Sequence, residues 1–441
     1  MRKVWLLLCG ILLAILAIGL VRRKAGADRD QKEFLAQLEL ARKEGLPTTW
    51  QEFAATIPTA SPNENAAPYY RQLSAMTKTG VIPKSLDDEI LFDRTSDHVR
   101  EAKALLAKEK PVLRLIDDAT ARPRCWFNRD WSQGGIVVMP ELTYMKLAAK
   151  LLAIRGSLAA EESRPDQALN DAKKIFTVAH QAGDEGTLMS ELLNESIYQI
   201  GLRTVAAWAF THPDVAAYRE AFDKALGEAP KPNLKSEHRG DLYEILWVVD
   251  RSLTPEGRKD LGIKEEDRQR PSGFVSLLLS QPKSKVEIVR QMRERWKAFD
   301  LPRAQRDKRL EETQQKVILA LLAFPDAAHL YDDLGFGDDE PTNRENAMMA
   351  RRQTYLALNR ALQERTIPKS IVTRDLLSPF DGKPLSYAFD GKQIRILVSG
   401  HGSDDSADRI ELKLPPDKTV STSNNKVKGL PSAMKLGDRS K

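Results

Sequence analysis

"LTYMKLAAKLLAIRGSLAAEESRPDQALNDAKKIFTVAHQA", residues 142–182, decides the fold class. Leu147, Leu151, Ile154 and Leu158 recur at i, i+4, i+7 and i+11, which places them on one face of a helix. Ala168, Ala172, Ile175, Phe176 and Ala179 carry a second apolar stripe, and "ESRPDQ", with Pro165, is a short turn between the two. The pattern predicts helices over Leu142–Glu162 and Gln167–Ala182, paired as an antiparallel hairpin. Gly156, Ala159, Ala168 and Ala172 are small enough to let the two backbones approach. This looks like one tetratricopeptide unit. No second copy recurs at a fixed period, and a solenoid needs several.

The same rhythm extends outward in both directions. Gln31–Gly45 reads as a helix with Phe34, Leu35, Leu38 and Leu40 as its apolar positions. Thr49-Trp50-Gln51-Glu52 has capping-box spacing. "SPNENAAPYYRQL" supplies Asn63 or Asn65 as a cap and Tyr69, Tyr70 and Leu73 as inward positions. Helices are expected over Ser96–Lys108, Pro111–Ala121, Thr187–Phe210, Val286–Phe299, Arg303–Phe324 and Asn346–Arg365. "RCWFNRDWSQGGIVVMPEL", 124–142, breaks the rhythm. Its Trp126 and Trp131 suggest a packed loop or, alternatively, an aromatic ligand cleft. After Pro368 the pattern alternates like strands. Asp390-Gly391 is a hairpin turn between "LSYAF" and "KQIRILVS", and "RIELKL" is a candidate third strand.

Composition bounds the function. The chain has 441 residues, 41% apolar and 29% charged, which permits a packed core. A net charge of +6 on 68 basic and 62 acidic residues argues against a dedicated nucleic-acid binder. Its two cysteines, Cys9 and Cys125, make neither a disulfide framework nor a zinc site. Val4–Val21 is uncharged and nearly long enough for a bilayer core of about 30 Å. Arg22-Arg23-Lys24 stops the run. It reads as an uncleaved transmembrane anchor displaying an outward-facing domain at the cell membrane.

The expected fold class is therefore mainly α. A helical-hairpin array stands behind an N-terminal transmembrane helix, with a small C-terminal antiparallel β-hairpin or three-stranded sheet. The segments are a basic N-terminus (1–3), the anchor (4–21), the helical body (22–345), a last helix with its β-module (346–414) and a disordered tail (415–441).

Four motifs together carry a resemblance: "NENAAPYY" (63–70), "DWSQGG" (130–135), "KLLAIRGSLAAEESRPDQALNDAKKIF" (150–176) and "IPKSIVTRDLLSPFDGKPLSYAFDG" (367–391). They resemble uncharacterised, membrane-anchored, mostly helical families of planctomycete-type bacteria. No activity comes with that likeness. The C-terminal segment also resembles the tail of the major type II secretion pseudopilin through Pro379, Phe380, Gly382, Pro384, Leu385 and Tyr387. That likeness implies a hairpin followed by an Asp/Gly-rich loop able to bind calcium. Here Ser378 stands where an aspartate is expected, and "DDSAD" replaces a more glycine-rich ending.

Candidate chemistry is sparse. Asp404, Asp405 and Asp408, near His401, are hard oxygen donors suited to calcium, without EF-hand spacing. "YDDLGFGDDEP", 331–341, gathers five acidic side chains with no histidine pair. There is no H-E-x-x-H, G-x-S-x-G, Walker or G-x-G-x-x-G signature. Within the basic run Lys283–Arg309, Arg290, Arg293 and Lys297 share one helical face that suits an anionic lipid or polyanion. The resulting expectation is a single-pass envelope scaffold or interaction module, with a protein partner and no evident catalysis. The alternative is a metal-dependent hydrolase or a calcium-binding, secretion-related protein.

Overall fold

The computed structural model describes residues 26, 28–78, 96–137, 139–230, 233–262 and 281–324, isolated positions between 348 and 359, and three strands near the C-terminus. The chain divides into two compact units. One comprises Met1–Val205 with Glu228–Met348, and the other Ala206–Gly227 with Met349–Lys441.

The first unit is built on the hairpin read from residues 142–182. In order along the chain, its leading helices are α1 (28–43), α2 (Trp50–Ala54), α3 (Ala67–Lys78), α4 (Ser96–Lys108), α5 (Lys110–Thr120), α6 (Pro140–Glu161) and α7 (Pro165–Gly183). Pro140 and Pro165 each open their helix from the first turn, where a missing N–H costs nothing. Ser163 takes a left-handed φ of 55° in the α6–α7 turn, which Arg164 N closes by donating to Ala159 O. Leu151, Ile154, Ala168, Ile175 and Ala179 are at most 1% exposed, so both predicted stripes face the interior. Tyr70 and Leu73 of α3, Ile116 of α5 and Phe127 complete this core. Asn65, with its Oδ1 accepting from Ala67 N, caps α3.

The chain continues through α8 (Leu188–Thr211), α9 (Ala216–Gly227), α10 (Leu234–Glu237), α11 (Asp241–Ser252), α12 (Pro255–Asp260), α13 (Gln281–Ala298) and α14 (Arg303–Leu321), and a second core in the first unit joins α1 to α11, α13 and α14. Ala41, Leu242, Ile245, Val249, Ile288, Val289, Met292, Val317 and Leu321 are buried there. On α1, Phe34 and Leu38 pack inward, whereas Leu35 and Leu40 are 55% and 40% exposed. The i, i+4 pair extended by Ala41 is the true buried stripe of α1. A small aromatic cluster of Phe53, Ile57, Trp131 and Tyr243 lies where α2, a 3₁₀ helix (Trp131–Ile136) and α11 meet.

The second unit holds the C-terminal end of α8, from Ala206 on, and α9. Trp208 and Tyr218 pack with ring centroids 5.5 Å apart, Phe222 meets Tyr355 edge-on at 6.2 Å, and Arg219 donates to Asn359 O. It also contains a three-stranded antiparallel sheet in the order β1 (Ser386–Phe389), β2 (Gln393–Leu397), β3 (Arg409–Lys413). Tyr387 stands opposite Ile396, and Ile396 opposite Ile410.

Several expectations require correction. Among the described residues no helix is long and apolar enough to cross a membrane. The two longest described helices have 22 and 24 residues, enough to span. However, α6 carries Lys146, Lys150 and Arg155, and α8 carries Glu191, Glu195 and Arg203, each of which is costly in hydrocarbon. The segment Val4–Val21 lies outside the described residues. The fold class with a transmembrane helix, the membrane partner, the cell-membrane location and the envelope-scaffold function are accordingly not upheld. The 415–441 tail and most of 346–365 also lie outside the described residues.

Candidate functional site

The loop 124–137 was the first candidate, and it proves to be a clamped structural element. Asn65 bonds both sides of Trp126, with Nδ2 donating to its carbonyl and Oδ1 accepting from its N–H, each at 2.8 Å. Asp184 accepts from Cys125 N at 2.7 Å. Arg129, 5% exposed, bridges Glu185 at 2.8 Å and Glu141 at 3.0 Å and lies over the Phe127 ring at 4.5 Å. Trp247 donates its indole N–H to Ser132 O. Trp131 sits edge-on to Phe53 with ring centroids 5.1 Å apart and is 5% exposed, so its indole is packed in the interior. Burial pushes the Cys125 thiol far up, with Glu185 and Asp184 adding like charge, so this thiol stays protonated.

The basic face of α13 meets the acidic face of α1. Arg290 bonds Glu33 and Glu287, each at 2.6 Å. Arg293 grips Glu44 with both ends of its guanidinium and reaches Gln37. Lys297 pairs with Glu44 at 3.1 Å and Glu294 at 3.2 Å. Hydrogen bonds from Arg293, working against burial and helped by Lys297, hold the Glu44 carboxyl below its ordinary value. Structure thus brings all three predicted cations together, but as partners of α1 and of Glu44 in the turn that ends it.

One turn nearer the N-terminus of α13 lies a cavity of about 390 Å3. Val286, Leu319 and Ala320 supply its apolar surface, and Leu319 is 60% exposed. Four cations (Arg29, Lys283, Arg290, Lys316) line it with three carboxylates (Asp30, Glu33, Glu287). The carboxylates are engaged by arginines: Glu33 and Glu287 with Arg290, and Asp30 with Arg29 at 3.5 Å. Among the described residues, Lys283 and Lys316 pair with no carboxylate. Sequence reasoning found Arg290 and included Lys283 in the basic run, but missed Lys316. It sits on α14, and nothing local ties it to α13. Its one signal is the cation among apolar neighbours in "QKVILA".

A third feature was also unforeseen. Glu244 on α11 is only partly exposed, and its Oε1 lies 3.1 Å from where a Cβ on Gly240 would stand, with the Phe53 and Tyr243 rings 3.3 Å from the same point. Burial, then the like charge of Asp241, pushes Glu244 up to about 7. Asp241 itself is held by His238 Nδ1 at 2.8 Å, both being buried. The Tyr243 hydroxyl is buried without a well-formed hydrogen bond, although it lies near enough to Glu244 to feel its charge.

Asp404, Asp405 and Asp408, and the acidic loop 331–341, lie outside the described residues. Among the described residues no group of three or more His, Cys, Asp or Glu side chains is placed to hold a metal ion. The metal-dependent hydrolase and calcium-binding alternative is therefore not upheld. Comparison with family models, with curated proteins and with solved structures finds no match. The resemblance to planctomycete-type membrane-anchored families and to the pseudopilin tail is corrected on that finding; its motifs are too short to define a family.

Proposed function

We propose that the protein is a non-enzymatic binding protein for a small organic anion with an apolar portion, held in the cavity between α1, α13 and α14. The carrying observation is the pair Lys283 and Lys316 beside an apolar floor, with the other charges of the cavity already engaged. A volume of about 390 Å3 falls within the usual range of small-ligand sites, roughly 300–1,000 Å3. Its polar groups orient the anionic end, and Val286, Leu319 and Ala320 accept the apolar end. Lysine suits this task as a mobile point charge, whereas the arginines are fixed by their carboxylate partners.

The test is a fluorescence titration with 8-anilinonaphthalene-1-sulfonate, an amphipathic anion. The wild type should bind it saturably, and more weakly as salt rises, because exposed charges are screened over about 10 Å at 0.1 M salt. The double variant Lys283→Gln with Lys316→Gln should bind at least tenfold more weakly, while Lys297→Gln should not change. Non-saturable binding, or equal affinity in the double variant, overturns the reading.

A further inference from the structure

We propose that Arg29 is a third cation of the anion site, and that an anion bound by Arg29 of α1 together with Lys283 of α13 and Lys316 of α14 fastens the leading half of α1 to the other two helices. This rests on the site proposed above. The geometry carries the step, because three helices share the cavity. Arg29 and Glu33 come from α1, Lys283 and Arg290 from α13, and Lys316 and Leu319 from α14. The side chain of Arg29 is 79% exposed and reaches Asp30 through Nη2 at 3.5 Å. A guanidinium has five N–H donors, so most of those on Arg29 remain for an anion, and no second partner takes them among the described residues.

The two ends of α1 are held unequally. At the trailing end Arg293 grips Glu44, the Trp296 indole donates to Glu44 O at 2.9 Å, and Ala41 and Leu46 are 0% and 2% exposed. At the leading end, beside the cavity, the ion pair of Glu33 with Arg290 is 44% and 42% exposed, and such pairs contribute little in water. Phe34 is only partly buried there, with Lys285 Nζ 6.0 Å from its ring centroid. Loosening this end takes one cation and one wall from the site, while Lys283, Lys316 and the apolar floor stay on α13 and α14. An anion therefore binds the docked form of α1 more tightly than the loosened form, and by linkage it favours docking by the same factor. Competition with Glu33 for Arg290 would act in the opposite sense. Arg290 resists it because it holds two carboxylates, Glu33 and Glu287, each at 2.6 Å.

The experiment is hydrogen exchange on the full chain with and without decanoate at about ten times its calorimetric Kd, read at times before α6 and α7 exchange. Amides of 32–38 should gain about tenfold protection, half of the effect appearing near the calorimetric Kd. Arg29→Gln, at an exposed position, should still bind decanoate, more weakly by a similar factor, and should lose the gain. Saturable binding that leaves the protection of 32–38 unchanged, or lowers it, overturns the fastening and leaves the anion site standing. Absence of saturable binding overturns both. An Arg29→Gln chain that binds and protects like the wild type overturns the role of Arg29.

Discussion

Arg155 of α6 and Asp171 of α7 are joined across the hairpin by two hydrogen bonds, Nη2 to Oδ1 at 2.6 Å and Nε to Oδ2 at 3.0 Å. The same guanidinium holds Asp117 of α5 at 2.8 and 3.0 Å, and Lys174 adds a bond to Asp117 at 2.7 Å. Burial pushes Asp171, 1% exposed, upward despite Arg155. Burial also opposes the charge of Asp117, but its bonds to Arg155 and Lys174 prevail and lower it. Removing the guanidinium strands a buried carboxylate. Arg155→Ala should therefore cost about 3–5 kcal/mol, the usual loss when one partner of a buried pair is deleted. Urea denaturation measures it, and a loss under 1 kcal/mol would show the network to be dispensable.

Glu244 gives a pH prediction with a definite sign. Its folded value, about 7, lies above the ordinary 4.5. Between those values the unfolded chain has released the proton and the folded chain has kept it. Stability contributed by this group is therefore full below about 4.5, falls as pH rises toward 7, and is constant above. The span corresponds to about 3 kcal/mol at most, at 1.36 kcal/mol per unit. Glu244→Gln should flatten that part of the stability profile between pH 5 and 7. An unchanged profile would place the titrating group elsewhere.

Gly134 gives a backbone prediction. It has φ +60°, and a Cβ there would stand 2.3 Å from Cδ2 of the Trp247 ring. Gly134→Ala must move the tryptophan or the 3₁₀ helix, at a cost on the order of 1–3 kcal/mol for the strained backbone alone. It should also weaken the Trp247–Ser132 bond. Thermal unfolding reads the first effect and near-ultraviolet circular dichroism the second. Wild-type values in both would contradict the packing.

The α6–α7 hairpin was legible because one residue in each helical turn is apolar and all of them point to one interior. Its bounds, Pro140–Glu161 and Pro165–Gly183, differ from the expected ones by two residues at most. The stretch Asp241–Ser252 was equally readable, since Leu242, Ile245, Leu246 and Val249 have the same spacing, although no helix was expected there. The basic face of α13 was visible, but its partner was not. Glu33, Gln37 and Glu44 lie about 250 residues earlier, and pairing over that distance is set by the shared core of α1 and α13. Glu244 was illegible for a related reason. Its surroundings at Gly240 include Phe53, far away in the chain, and no local spacing announces a carboxyl beside that aromatic cluster.

The proposed function is tested most directly by isothermal titration of the wild-type chain with decanoate, a simple carboxylate with an apolar tail. The account predicts one saturable site per chain, affinity that falls as salt rises, and a loss of at least tenfold in the Lys283→Gln, Lys316→Gln double variant. Absence of a saturable heat, or a double variant that titrates like the wild type, would contradict it.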